Sequence, residues 1–219
     1  MLYFIFDTET SGLPDMNDRL KENPYEVIQL SGFLVTEDFK IKQVVNLYCN
    51  ISKPISPGAV AVHGIDNKKL LKLSKGLTLE DHLVNPKYSW LTNPKDIAFI
   101  AYNVDFDKRM VNDSLKNNGY KGIDFGREVN ILPKRGSKGV YNMCLCKASK
   151  AAFGYRRLRK LIDVVSEKLP YSETQINKGL DRICKGFGVS REQASYHDAL
   201  FDSQALLLLL WKYIMYFRK

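Results

Sequence analysis

The chain has 219 residues, of which 45% are hydrophobic and 26% are charged, as in ordinary soluble globular proteins. Its longest apolar run, Ala205 to Trp211, is much shorter than the roughly 20 residues that a membrane-spanning helix needs, and the segment Met1 to Phe6 lacks the basic start of a signal peptide. We therefore expect a soluble, cytoplasmic protein that folds as one domain over residues 1–219 and binds no membrane.

The formal net charge of +9 favours a polyanionic partner such as nucleic acid. Between Val129 and Ile162 there is no acidic residue, yet this segment contains nine basic ones: Lys134, Arg135, Lys138, Lys147, Lys150, Arg156, Arg157, Arg159 and Lys160. Aromatic residues lie among them, so the segment has the means both to neutralise phosphates and to stack on bases. A solvated basic surface is the alternative. We interpret the arginines at 156, 157 and 159 as substrate-binding residues.

The predicted elements follow from hydrophobic spacing. The continuous apolar run Leu2–Phe6 predicts a strand that is buried on both faces. Further strands are predicted at 27–35, 40–49, 97–101 and 140–146, and helices at 67–73, 77–84, 106–117, 155–168, 176–187 and 197–217. The short polar link at 36–38 favours an antiparallel hairpin, whereas Pro57 with Gly58, and the glycine-rich and charged segment 121–138, predict loops. This order of elements predicts an α/β sandwich around a mixed sheet of five strands.

Two carboxylates stand at the end of the first predicted strand. Asp7 and Glu9 are two residues apart, so on a strand their side chains share a face and can reach one metal ion. Burying two such charges side by side without a cation would be costly. A solvated strand end is the alternative, because acidic residues also occur there.

Acidic residues also follow the fourth predicted strand and flank the start of the last helix. Spacing alone leaves Asp105 and Asp107 equal as metal ligands, and either one also suits the first turn of a helix. His197 and Asp202 lie near the start of the last predicted helix. A histidine there can accept a proton near neutral pH, or it can serve only as a capping residue.

Four segments resemble motifs of the DnaQ-like 3′–5′ exonucleases, the ribonuclease H-like family whose DEDDh signature comprises three Asp, one Glu and a catalytic His. The segment at 6–12 reads F-D-T-E-T-S-G, that at 59–65 reads A-V-A-V-H-G-I, and that at 101–107 reads A-Y-N-V-D-F-D. The block at 180–205 resembles the family's closing motif. Tyr102 replaces the histidine that is usual in the third motif. The segments 121–138 and 166–177 look longer than a minimal domain requires.

The resemblance implies a ribonuclease H-like three-layer sandwich and a hydrolysis that uses two Mg²⁺ or Mn²⁺ ions. It selects Asp107 over Asp105. It also implies the metal ligands Asp7, Glu9, Asp107 and Asp202. It further implies that His197 is the general base, that Thr10 and His63 grip the terminal nucleotide, and that Asn103 contacts substrate.

The expected substrate is a nucleic acid with a free 3′ end, and we expect it to be single-stranded DNA. An exoribonuclease is the alternative within enzymology, because nothing in the sequence shows how the pocket treats a 2′-hydroxyl. A noncatalytic nucleic-acid-binding or polymerase-docking module is a third possibility, but every expected ligand position is filled. A polymerase or another replication or repair protein is the candidate protein partner.

The basic segment can be tested by replacing Arg156, Arg157 and Arg159 together with glutamine. If these residues contact phosphates, the variant binds a single-stranded oligonucleotide more weakly. The slope of log K against log salt should then become shallower by about 2, that is about 0.7 for each lost contact. Fluorescence anisotropy at several salt concentrations measures this slope, and an unchanged slope would assign these arginines to a solvated surface.

Overall fold

The structure is a computed structural model that describes residues 1–14, 24–129, 136–145, 198–200, 202–204, 206, 207 and 210. The predicted helices at 155–168 and 176–187, and the long segment 166–177, lie outside the described residues. Residues 199, 200, 202–204, 206, 207 and 210 are helical, and we call them the C-terminal helical segment.

A mixed sheet of six strands forms the centre of the described fold. In chain order the strands are β1 (Leu2–Thr10), β2 (Val27–Thr36), β3 (Ile41–Tyr48), β4 (Ile97–Ala101), β5 (Arg127–Glu128) and β6 (Val140–Cys144). Their order across the sheet is β3-β2-β1-β4-β6-β5. The first three pair antiparallel, which confirms the predicted hairpin, and the remaining pairings are parallel. The long β1 therefore lies between the antiparallel part of the sheet (β2 and β3) and the parallel part (β4, β6 and β5).

Five described helices connect or cover the strands. They are α1 (Pro57–His63), α2 (Asn67–Ser74), α3 (Leu79–Leu83), α4 (Ser89–Thr92) and α5 (Val104–Asn117), with a 3-10 turn at Pro86–Tyr88 before α4. None of the helices in the described ranges combines the length and the apolar character that crossing a membrane requires.

Two apolar clusters cover opposite faces of the sheet. On one face Phe4 and Phe6 of β1 belong to a cluster that includes Met110, Val111 and Leu115 of α5. On the other face the cluster contains Tyr3 and Ile5 of β1 together with four leucines of the C-terminal helical segment: Leu200, Leu206, Leu207 and Leu210. Because neighbouring side chains of a strand point to opposite faces, β1 contributes to both clusters. This arrangement confirms the predicted three-layer sandwich.

The structure departs from the predicted elements at several places, among them the unpredicted helix α4 and the 3-10 turn before it. The sheet has six strands rather than five, because Arg127 and Glu128, within the predicted loop 121–138, pair with β6. The predicted loop at Pro57 and Gly58 is instead the start of α1, where the Ser56 side chain accepts the Ala59 N–H and proline occupies the first turn. The first strand continues past Phe6 to Thr10, so Asp7 and Glu9 lie within it.

Gly32 of β2 permits the close contact with β1 that places the carboxylate-bearing strand. A methyl group at this position would overlap the Ile5 carbonyl oxygen and would come within 2.8 Å of the Phe6 Cβ. We expect Gly32→Ala to lower the free energy of unfolding by about 3 kcal/mol, as overpacked cores do. Gly58→Ala is the matched control, because nothing lies within 4 Å of its added methyl. The control should leave stability unchanged or raise it by up to about 1 kcal/mol. Urea unfolding measures both, and equal stabilities would contradict the close contact.

Candidate metal centre

Three carboxylates converge at the end of β1. Asp7 and Glu9 lie on the same face of this strand, and Asp202 approaches from the C-terminal helical segment. One oxygen atom from each of the three carboxylates lies within 4.8 Å of the other two. All three side chains are partly buried. Their oxygen atoms form a set of ligands of the kind that Mg²⁺ and Mn²⁺ prefer.

Asp107 lies beside this cluster, on the first turn of α5. It is buried, and one carboxylate oxygen accepts a 2.8 Å hydrogen bond from the Thr8 hydroxyl of β1. Asp105 differs, because its carboxylate lies 3.1 Å from the Lys108 ammonium group. The structure therefore places Asp107 next to the acidic cluster and Asp105 in an ion pair outside it.

Burial and neighbouring negative charges raise the pKa values of Asp7 and Glu9. Burial raises the pKa of Asp7 well above its usual range, and the neighbouring Asp107, Asp202 and Glu9 raise it further. Burial and the charges of Asp202, Asp198 and Asp107 raise the pKa of Glu9 to about 8. Burial also raises the pKa of Asp107, against the opposing effect of the hydrogen bond from Thr8. A divalent cation would offset this repulsion, and it fits both the oxygen atoms and the excess negative charge of the site.

Thr10, at the end of β1, and His63, at the end of α1, form hydrogen bonds with the backbone. The side chains of Thr10 and His63 are both buried. The Thr10 hydroxyl donates to the Gly12 carbonyl at 2.8 Å. The Ile65 N–H donates to His63 Nδ1 at 3.1 Å, and Nε2 lies 3.3 Å from the Thr10 carbonyl oxygen. Because Nδ1 accepts, the proton of a neutral His63 ring is on Nε2, and this atom donates to Thr10. His63 thus attaches α1 to the end of β1, and substrate binding by Thr10 and His63 stays a prediction.

Asn103 is the remaining predicted site residue among those that the structure describes. Asn103 is exposed just before α5, and its carbonyl accepts the Phe106 N–H at 2.8 Å, while its side chain makes no capping bond. Substrate contact by Asn103 stays a prediction. The predicted general base and the predicted basic contacts lie outside the described residues: His197, Arg156, Arg157 and Arg159.

Three polar residues that were not predicted to belong to the site hold the start of the C-terminal helical segment: Gln29, Tyr48 and Asp198. Asp198 accepts hydrogen bonds from the Tyr48 hydroxyl at 3.2 Å and from the Gln29 amide at 3.3 Å. Two signals point to them in the sequence. Asp198 stands where a helix begins, and Gln29 with Ser31 interrupts an otherwise apolar strand at alternate positions.

No protein-family model matches the sequence, and neither does any curated protein. The structure is nevertheless similar to solved exonuclease structures. Escherichia coli Exonuclease I in complex with a dT13 oligonucleotide has a TM-score of 0.56 and 17% identity over 95% of this chain and 40% of that one. Exonuclease X in complex with 5′ overhanging duplex DNA has a TM-score of 0.50 and 18% identity, covering 95% of this chain and 89% of that one.

The nuclease domain of 3′hExo, described as a DEDDh family member bound to rAMP, is a third similar structure. Its TM-score is 0.50 at 11% identity, over 98% of this chain and 90% of that one. At these identities the similarity establishes a shared fold. The chain therefore has the ribonuclease H-like fold found in DEDDh exonucleases.

The raised pKa of Glu9 predicts how pH affects the metal-free protein. A glutamate whose pKa rises from 4.5 to about 8 on folding leaves stability unaffected below pH 4.5 and lowers it progressively as the pH approaches 8. In EDTA at pH 8.5, Glu9→Gln should therefore have a thermal midpoint a few degrees above that of the wild type. At pH 4.5 the two midpoints should coincide. Differential scanning fluorimetry measures both, and an equal difference at the two pH values would contradict repulsion at Glu9.

Proposed function

We propose that the chain is a divalent-metal-dependent 3′–5′ exonuclease and that its substrate is single-stranded DNA. The observation that carries this proposal is the convergence of the Asp7, Glu9 and Asp202 carboxylates within 4.8 Å. Asp107 lies beside them on the same edge of a fold that solved exonucleases share. A fold alone supports many functions, so the filled acidic site is the stronger support.

Two Mg²⁺ or Mn²⁺ ions fit the proposal. Asp7, Glu9 and Asp202 would hold one, and Asp7 with Asp107 would hold the other. When bound, such ions offset the charge that develops on the phosphate and on the leaving 3′ oxygen. The Thr8 hydroxyl keeps the Asp107 carboxylate in place during the reaction through its 2.8 Å hydrogen bond.

His197 completes the proposed site as the general base. It immediately precedes Asp198 in the chain, and Asp198 accepts the Leu200 N–H as a helix-capping residue. An imidazole near neutral pH would accept the proton of the water that attacks the phosphorus atom.

Nucleic acid as the substrate is supported by the net charge of +9 and by the ligands of the similar structures. An exoribonuclease is the second candidate, because one similar structure contains rAMP rather than a deoxynucleotide. Matched DNA and RNA strands of one sequence, assayed side by side, separate the two. A cytoplasmic location and docking to a polymerase or repair protein are further parts of the proposal.

The proposal predicts stepwise shortening of a 5′-labelled, single-stranded oligonucleotide with Mg²⁺ and none in EDTA. Asp7→Asn and His197→Ala should each lower the rate by about 100-fold or more, the usual contribution of such groups. Asp105→Asn is the matched control on the first turn of α5, since Asp105 pairs with Lys108. It should keep the wild-type rate within about 3-fold, as expected for a residue without contact to the reacting atoms.

Denaturing gel electrophoresis resolves these products. Internal cleavage, or shortening that persists in EDTA, would contradict the proposed reaction. A wild-type rate in Asp7→Asn or in His197→Ala would remove that residue from the site.

A further inference from the structure

A buried glutamine links the central sheet to the start of the C-terminal helical segment. Gln29 of β2 is 0% exposed. Its Nε2 donates to the Asn46 side-chain oxygen at 3.0 Å and to Asp198 Oδ2 at 3.3 Å. Its Oε1 accepts the Ala199 N–H at 3.2 Å. The Gln29 amide therefore uses both its donor and its acceptor functions.

Tyr48 of β3 holds the same carboxylate from a second direction. Its hydroxyl donates to Asp198 Oδ2 at 3.2 Å, while Asp198 Oδ1 accepts the Leu200 N–H at 3.0 Å. Asp198 thus caps the helical segment with one oxygen and binds two strands with the other. We call Gln29, Tyr48 and Asp198 the anchor.

The anchor lies in register with the acidic cluster. In the pairing of β1 with β2, Gln29 is opposite Glu9, and Ser31 is opposite Asp7. The Ser203 hydroxyl lies 2.9 Å from the Ser31 carbonyl oxygen, and the Asp202 N–H donates to the Asp198 carbonyl at 3.0 Å. The strand that pairs with Asp7 and Glu9 is therefore the strand that holds Asp202 in place.

We infer that Gln29, Tyr48 and Asp198 are positioning residues that set where Asp202 stands relative to Asp7 and Glu9. The inference rests on the proposed function for its kinetic consequences. Apolar side chains would fill the same space, but directional hydrogen bonds also define the distance and rotation of the helical segment. Such precision matters because a displacement of about 1 Å at a reacting centre costs up to 100-fold in rate.

Tyr48→Phe is the least disruptive test, because it removes one hydroxyl and keeps the ring. Losing a group that orients metal ligands lowers activity or metal affinity by about 10- to 100-fold. We therefore expect kcat on a single-stranded oligonucleotide to fall by about 10-fold or more, with KM changed by less than about 3-fold. The affinity for Mn²⁺ alone, measured by calorimetry, should fall as well.

Tyr141→Phe is the matched control. Its hydroxyl donates a 2.6 Å hydrogen bond to the Lys138 carbonyl, and Tyr141 lies on β6, two strands away from β1. The control should lose stability by an amount similar to Tyr48→Phe and keep its kcat and Mn²⁺ affinity. This comparison separates positioning from a general loss of stability.

A complementary pair of substitutions tests the direction of the hydrogen bonds. Asp198→Asn places an amide donor against the donor of Gln29, and Gln29→Glu places two carboxylates side by side. The double variant moves the charge from residue 198 to residue 29 and restores one donor facing one acceptor, while the Tyr48 hydroxyl turns to accept from the new amide at residue 198. Rotation of the Asn46 amide then satisfies the new carboxylate. Each single variant should lose kcat, and the double variant should recover at least about 10-fold relative to the worse single one, as coupled neighbours do.

The outcomes separate this inference from the proposed function. If the wild type degrades the oligonucleotide and Tyr48→Phe matches it in kcat and Mn²⁺ affinity, the anchor is purely structural and the inference is wrong. If the wild type binds Mn²⁺ but degrades nothing, the proposed function fails, while weaker Mn²⁺ binding by Tyr48→Phe still supports positioning of Asp202. Equal losses of kcat and of Mn²⁺ affinity in Tyr48→Phe and Tyr141→Phe would overturn the inference.

Discussion

Repulsion among the carboxylates at the end of β1 is the constraint on which the rest of the structure depends. Asp7, Glu9 and Asp202 bring their oxygen atoms within 4.8 Å, and burial with mutual repulsion raises the pKa of Glu9 to about 8. A fold that served stability alone would separate these charges or replace them. Their position on one face of a central strand fits the proposed divalent cation, which would offset this repulsion.

The surrounding elements keep these charges together. Apolar contacts at Tyr3 and Ile5 bury the first half of β1 beneath the C-terminal helical segment, and the same face then carries Asp7 and Glu9. Hydrogen bonds replace apolar contacts along this face as the strand approaches the site. The polar residues of β2 thus lie beside the charged residues of β1, whereas its apolar residues pack in the core. Asp107 reaches the cluster from the opposite face through Thr8.

Periodicity made the larger elements predictable, since apolar runs and helical spacing follow directly from burial. It failed at α1, because Pro57 and Gly58 are loop residues in most contexts and become a helix start only when Ser56 caps it. It failed at β5, whose two residues are strand only through pairing with β6. Within the site, spacing could not distinguish Asp105 from Asp107, since both lie on the first turn of α5. The motif resemblance favoured Asp107. The packing of α5 against β1 gives a physical difference between the two, because it brings the Asp107 carboxylate to Thr8 of β1.

The position of bound Mn²⁺ tests the central claim most directly. Anomalous diffraction from a crystal soaked in Mn²⁺ locates the ion without reference to activity. We expect a peak coordinated by carboxylate oxygens of Asp7, Glu9 and Asp202, at the 2.0–2.6 Å or so typical of hard cations with oxygen ligands. A second peak should lie between Asp7 and Asp107. Saturating Mn²⁺ with no peak at these carboxylates, in a protein that still degrades nucleic acid, would contradict the assignment of the metal centre.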